Sequence, residues 1–244
     1  METNDFYNQL ITAFNVVVDK HNLRNENVEV FGKILTPEEA IGNPKRKNFP
    51  IVVGKEKLME ATFRGSIGQA FTDMPINFSG TIDSILNLEL NNNGNRAIFI
   101  STLNAVTTFL KLSDKSIHCK DDEPEECSEA LINYIKKNYD SPKISLIGFQ
   151  PSMLENLSNH FEMRIIDLDK EHIGKKEFNI LIEDGNIALD DILQWGDLIL
   201  ATGSTIVNGS ITNLIDNKNI LFYGTTICGA ASLLNIPRFC HMAK

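Results

Sequence analysis

Residues 116–127, SIHCKDDEPEEC, place one histidine, two cysteines, two aspartates and three glutamates within twelve positions. His118, Cys119 and Cys127 are borderline and soft donors, whereas Asp121, Asp122 and Glu123 are hard ones. Such a mixture suits zinc or a neighbouring transition metal better than calcium or magnesium. Two features oppose a structural zinc knuckle. Seven residues separate Cys119 from Cys127, and no second Cys/His pair follows at standard spacing. An acidic run just before a helical pattern is also what a helix start requires, because carboxylates complement the positive end of the helix dipole. On that alternative reading the helix begins near Cys127 and the histidine is incidental. Cys228, in the apolar stretch TTICGAASLL, reads as a small buried hydrophobe. Cys240-His241 lies beside a last strand and reads as packing, with a contribution to a site as the alternative.

A second set of chemistry-bearing residues recurs after short apolar runs. KISLIGF (143–149) leads into Gly148-Phe149-Gln150-Pro151, and EMRIIDLD (162–169) ends in Asp167-Leu168-Asp169. DLILATG (197–203) leads into Thr202-Gly203-Ser204-Thr205, and NILFYG (219–224) into Gly224-Thr225-Thr226. In an open parallel sheet, ligands bind outside the carboxyl ends of the strands. Glycine there admits close backbone approach, and hydroxyls with free helix N–H groups suit an oxyanion. Caps of ordinary strand-to-helix turns use the same residues. A dinucleotide is disfavoured: GFQPSM lacks the second and third glycines of that fingerprint, and Pro151 with Ser152 crowds the place of a pyrophosphate. Asp167, about twenty residues beyond Gly148, has the spacing of a ribose-binding acid, but a solvent-exposed strand-end carboxylate explains it as well.

The elements that must carry these groups divide the chain in two. From residue 128 onward, short apolar runs alternate with helical patterns such as SEALINYIKKNY and PSMLENLSNHF, which predicts a doubly wound parallel sheet covered on both faces. The first hundred residues are α+β. A helical rhythm runs through Phe6, Leu10, Ile11, Phe14 and Val17. Thr36, Pro37 and Glu39 predict a capping box. Met59, Ala61 and Phe63 alternate up to an Arg64-Gly65 hairpin turn. Helical spacing then covers FSGTIDSILNLEL and, after the asparagine turn at 90–96, continues through Phe99, Leu103, Val106 and Leu110.

Length and charge bound the rest. A chain of 244 residues supports one large or two modest domains. A formal net charge of −9 argues against a nucleic-acid partner. The one basic knot, NPKRKN at 43–48, reads as a solubilising or anion-attracting loop. No apolar run reaches the length of a membrane span, and METNDFYNQL lacks a signal-peptide layout, so the expectation is a cytoplasmic protein with no membrane partner. Four scattered cysteines are expected to be thiols.

In combination, GQAFTDMP, HCKDDEPEEC, LIGFQP, ATGST and FYGTTICGAA, in that order, resemble the family of heavy-metal chelation domains across nearly the whole chain. The resemblance implies an α/β protein with an enolase-N-terminal-like α+β domain at 1–108 and a Rossmann-like domain at 109–244. It also implies a site in the cleft between them. Carried onto this chain, the metal ligands would be His118, Cys119, Asp121, Glu123 and Cys127, for a transition-metal ion such as zinc. Thr202, Gly203, Ser204, Gly224, Thr225 and Thr226 would hold the rest of the ligand, with Gln69, Phe71, Thr72 and Asp73 from the first domain; Gln150 joins them from the strand-end turns. The leading expectation is therefore a binder of a metal ion or small metal chelate. The alternative is a metal-independent enzyme on a phosphorylated or carboxylated metabolite, with Asp73 or Glu123 as acid/base and Cys119 as nucleophile. A third reading is an interaction module. Assembly as a homo-oligomer is left open.

Overall fold

The computed structural model describes residues 3–32, 36–49 and 57–244. The chain opens with helix α1 (Thr3–Lys20) and strand β1 (Asn27–Phe31). The short helix α2 (Pro37–Ile41) follows, with the expected capping box: the Glu39 N–H donates to Thr36 Oγ1 and the Thr36 N–H to Glu39 Oε2. Strands β2 (Lys57–Phe63) and β3 (Ser66–Thr72) then form a hairpin with Phe63 opposite Ser66. Its turn is Arg64-Gly65, with φ of 47° and 84°. Positive φ at both central residues is the geometry that matches strand twist.

Strand β4 (Phe78–Thr81) runs into helix α3 (Ile82–Leu86), and helix α4 (Asn93–Phe109) follows. The expected helix over 78–90 is thus half strand. Phe78–Thr81 pairs with β1, and the Thr81 hydroxyl accepts from Ser84 N–H to start the helix only at Ile82. The antiparallel sheet has the order β3-β2-β1-β4.

Helix α4 is buried on nearly all sides, from Ala97 through Thr107. A helix buried all round belongs to a core rather than a surface, and α4 packs on β2 and β3 on one side and on later helices on the other. Its contact with β3 depends on Gly68, where a Cβ would lie 2.2 Å from Ala105 N and 2.3 Å from Ser101 O. One continuous apolar cluster includes Phe14, Phe63 and Phe99 from this half and Ile147, Ile199 and Phe222 from the other. Each such side chain contributes about 1.5–3 kcal/mol by burial.

The remaining elements alternate. They are helix α5 (Glu123–Asn138), strand β5 (Ile144–Ile147), helix α6 (Pro151–Ser158) and strand β6 (Met163–Asp167). A hairpin of β7 (Lys176–Glu177) and β8 (Ile180–Asp184) leads to helix α7 (Gly185–Trp195) and strand β9 (Leu198–Thr202). Helix α8 (Thr205–Asn208), a 3-10 turn at Ser210–Asn213, strand β10 (Ile220–Tyr223), helix α9 (Cys228–Leu234) and strand β11 (Arg238–Phe239) complete the chain.

The order is β11-β10-β9-β5-β6-β8-β7, parallel except for the β7 edge. This is a doubly wound sheet whose strand order reverses between β5 and β9. Helices α5 and α6 cover one face through Leu131, Ile135, Leu154 and Leu157. The opposite face carries Ile192 of α7, Ile206 of α8 and the α4 cluster. Strand β8 escapes the sequence pattern because only Ile182 of its five residues is buried. Helix α5 begins at Glu123, one turn before the expected start near Cys127, with Pro124 in its first turn. Among the described residues no helix is long and apolar enough to cross a membrane.

Candidate functional site

At the switch point between β5 and β9 lies a cavity of about 610 Å³. Its floor is made by the turns after β5, β6, β9 and β10, and its opposite wall by the end of β3, the segment around His118 and the first turns of α5. Of the eleven residues expected to hold a ligand, ten line it: Phe71, Thr72, Asp73, Gln150, Thr202, Gly203, Ser204, Gly224, Thr225 and Thr226; Gln69 does not. So do His118, Cys119 and Cys127. Gly148 has φ of 94°, and a Cβ there would come within 2.7 Å of Thr202 Cγ2, so glycine keeps the crevice open.

A buried asparagine joins the two walls. Asn104 of α4 donates from Nδ2 to the carbonyls of Gln69 (2.9 Å) and Thr226 (2.9 Å), and its Oδ1 accepts from Gly229 N–H (2.8 Å). Phe71 N–H donates to Thr226 Oγ1 (3.2 Å). Gln69 Oε1 in turn accepts the His118 N–H (2.7 Å), and the His118 ring meets Phe71 edge-on at 5.2 Å. One helix residue thus sets the spacing between a Thr-rich turn and the histidine.

The five expected metal ligands do not converge. Asp121 Oδ1 accepts from Asn43 N–H (2.8 Å), and Glu123 Oε2 from Lys120 N–H (2.6 Å). Neither lines the cavity. Among the described residues no three His, Cys, Asp or Glu side chains gather as a metal would need. Instead Cys119, Cys127 and Cys240 all line the cavity, as does His118. Burial pushes the Cys119 thiol well above its ordinary range, helped by the neighbouring Cys127, Cys240 and Glu123. Cys240 is raised too, again chiefly by burial. Cys119 is therefore a protonated thiol at neutral pH, the reverse of an activated nucleophile.

The acidic stretch and the basic knot answer each other. Lys45 Nζ lies 2.8 Å from Asp122 Oδ2, and Arg46 Nε lies 2.6 Å from Glu125 Oε1 while its Nη2 pairs with Glu155. No Lys or Arg side chain lines the cavity among the described residues. The anion cradle at α6 is also closed, because Pro151 has no N–H and Gln150 Oε1 accepts from Met153 N–H (2.6 Å).

Asp167 is not a solvated carboxylate. Its Oδ2 accepts from Phe149 N–H (2.7 Å) and its Oδ1 from Asp169 N–H (2.7 Å), which holds two cavity turns together. His172 stands beside it, Nδ1 3.6 Å from Asp167 Oδ2, its ring against Phe149 at 4.5 Å. The sequence offered no signal for His172, which comes from an irregular loop after β6. Asn93, whose Nδ2 donates to Asp73 Oδ1 (2.7 Å), was equally hidden.

Burial lowers the His118 pKa to about 4, against smaller opposing contributions from the Cys119 backbone and the Glu123 charge. The ring is therefore a neutral donor or ligand at physiological pH. An unfolded chain takes up this proton near pH 6.5, whereas the native state resists it until about pH 4, so stability falls as pH drops through that window. The loss expected from this group is about 3 kcal/mol. Urea midpoints of wild type and His118→Gln at pH 7 and pH 4.5 check this: the drop should be smaller in the variant, and equal drops would contradict it.

Residues 131–226 match the DUF364 family model, described as "Putative heavy-metal chelation". A DUF364-family protein of unknown function from Desulfitobacterium hafniense DCB-2 superposes with a TM-score of 0.50 at 12% identity, covering 73% of this chain and 71% of that one. Another, from Pyrococcus horikoshii, gives 0.45 at 18% identity, covering 71% and 69%. No curated protein matches the chain.

Proposed function

From the match of residues 131–226 to the DUF364 family, we propose that this chain is a cytoplasmic binder of a metal in chelated form, a small organic molecule carrying the ion. The site would be the cavity, read as the cleft between domains meeting near residue 108. One observation carries the reading. Four buried side-chain polar atoms lack a hydrogen-bond partner among the described residues, and three of them, His118 Nδ1, His172 Nδ1 and Thr225 Oγ1, belong to residues lining this cavity. Buried polar atoms left unpaired cost about 1–3 kcal/mol each, and a ligand's polar groups would relieve that.

The volume supports a chelate over a bare ion, since 610 Å³ suits a drug-sized molecule. The donor set fits a soft or borderline ion in kind, with a neutral imidazole and three thiols, although not as a closed cage. His118, with at most one thiol beside it, would complete the coordination that the organic part leaves open, and the ion would supply the energy to release that thiol's proton. Thr202, Ser204 and Thr225 would bind the organic part. Among the described residues no Lys or Arg lines the cavity, and the Cys119 thiol is raised, so neither feature supports the anionic-metabolite enzyme.

The test uses cobalt(II) alone and as its neutral histidine complex, followed by melting temperature and by the visible spectrum. The complex should raise the melting temperature by several degrees at saturating concentration, and His118→Gln should abolish the spectral change. Equal stabilisation by the bare ion, or none by either, would overturn the reading.

A further inference from the structure

Residues 36–49 cross the cavity as a strap. Ile41 and Phe49 are buried, line the cavity, and pack with Leu58 and Phe71 in a small apolar cluster separate from the two larger ones. From Ile41 onward the strap is tied to the acidic stretch by polar contacts. Asp121 N–H donates to Ile41 O (2.7 Å), Asn43 N–H to Asp121 Oδ1 (2.8 Å) and Lys45 N–H to Asp122 Oδ1 (3.1 Å). Arg46 then bridges Glu125 of α5 and Glu155 of α6, and its guanidinium lies 5.8 Å from the Phe178 ring.

We infer that this strap is a lid held shut by an ionic latch, and that ligands enter when 43–47 releases the acidic start of α5. Two observations carry it beyond the site itself. The apolar plug is only three buried residues with Phe71 against them, so its hold is small beside the main cores. The outer latch pair sits at the periphery, the Lys45 side chain being 90% exposed, where ion pairs contribute little individually and are screened by salt; the half-buried Arg46 holds the larger share through Glu125 and Glu155. A segment tied in this way opens locally without unfolding the rest. The acidic stretch is then explained by the latch, and not by metal coordination; the inference holds whatever the ligand.

The buried thiols under the strap report its opening without any ligand. Native protein is treated with iodoacetamide and each cysteine is quantified by mass spectrometry, Cys228 serving as reference because it is buried outside the cavity. In Arg46→Gln, alkylation of Cys119 and Cys127 should rise about five-fold, equivalent to about 1 kcal/mol of latch, with Cys228 unchanged. Lys45→Gln, at an exposed position that cannot prevent folding, and 1 M NaCl on the wild type should act in the same direction, about two-fold. Unchanged rates at Cys119 and Cys127 would overturn the lid. A parallel rise at Cys228 would do so too, as would wild-type labelling already at the rate of a free thiol.

Discussion

Asn104→Ala is expected to destabilise the protein by about 3–5 kcal/mol, because it strands two carbonyls and one amide that each cost about 1–3 kcal/mol when buried unpaired. The site is fully buried, and its three partners come from β3, the β10–α9 turn and α9. A water entering the vacated space could restore part of the bonding, which is why the sum is not simply three full penalties. Asn104→Asp should be nearly as harmful: a carboxylate can accept from Gly229 but repels the two carbonyls that the amide served. Urea unfolding with an unchanged slope and a lowered midpoint is the expected signature. The variant should also lose ligand affinity at pH 7, since Gln69 and Thr226 position the two cavity walls. A loss under 1 kcal/mol would mean that the asparagine does not join them.

Gly68→Ala is the second large effect. The added methyl would meet Ala105 N and Ser101 O, both backbone atoms of α4, which cannot rotate aside. Either β3 or the helix must shift, and overpacking of this kind costs about 1–3 kcal/mol and occasionally more. We expect about 3 kcal/mol, at the upper end, because both contacts are backbone. Gly65→Ala provides the contrast. Nothing lies within 4 Å of its Cβ, so only the positive φ of 84° penalises alanine, by about 1 kcal/mol. Comparable losses in the two variants, read from thermal or urea midpoints, would contradict close packing of α4 on the hairpin.

Much of this was legible in the residues. Period-2 alternation through Met59, Ala61 and Phe63 found the hairpin, and the Thr36–Glu39 box found α2. The apolar runs at 144–147, 163–167, 198–202 and 220–223 found four of the parallel strands, and with them the turns that face the cavity. Patterns failed where local spacing competes with a distant partner. Phe78–Thr81 precedes a helical rhythm but pairs with β1, and Ile180–Asp184 offers only a three-residue apolar run before two acids, too short to announce itself as a strand. Donor chemistry was read better than donor placement. Asp121 and Glu123 have the right atoms for a metal, yet their partners lie at Asn43, Lys120 and, for Glu123 Oε1, Lys244 Nζ at 3.5 Å. The contacts to Asn43 and Lys244 span long separations and leave no local trace, so the pairing of the basic knot with the acidic stretch could not be seen in either alone.

The position of α4 carries a mechanical consequence. A helix that serves as the interior of both sheets leaves no plane along which two lobes could swing like jaws, because any such motion would part α4 either from β3 at Gly68 or from the turn at Thr226 that Asn104 holds. Whatever enters this molecule must do so past a peripheral flap while the frame stays still, and catch-and-release would then be governed by surface charge rather than by a hinge.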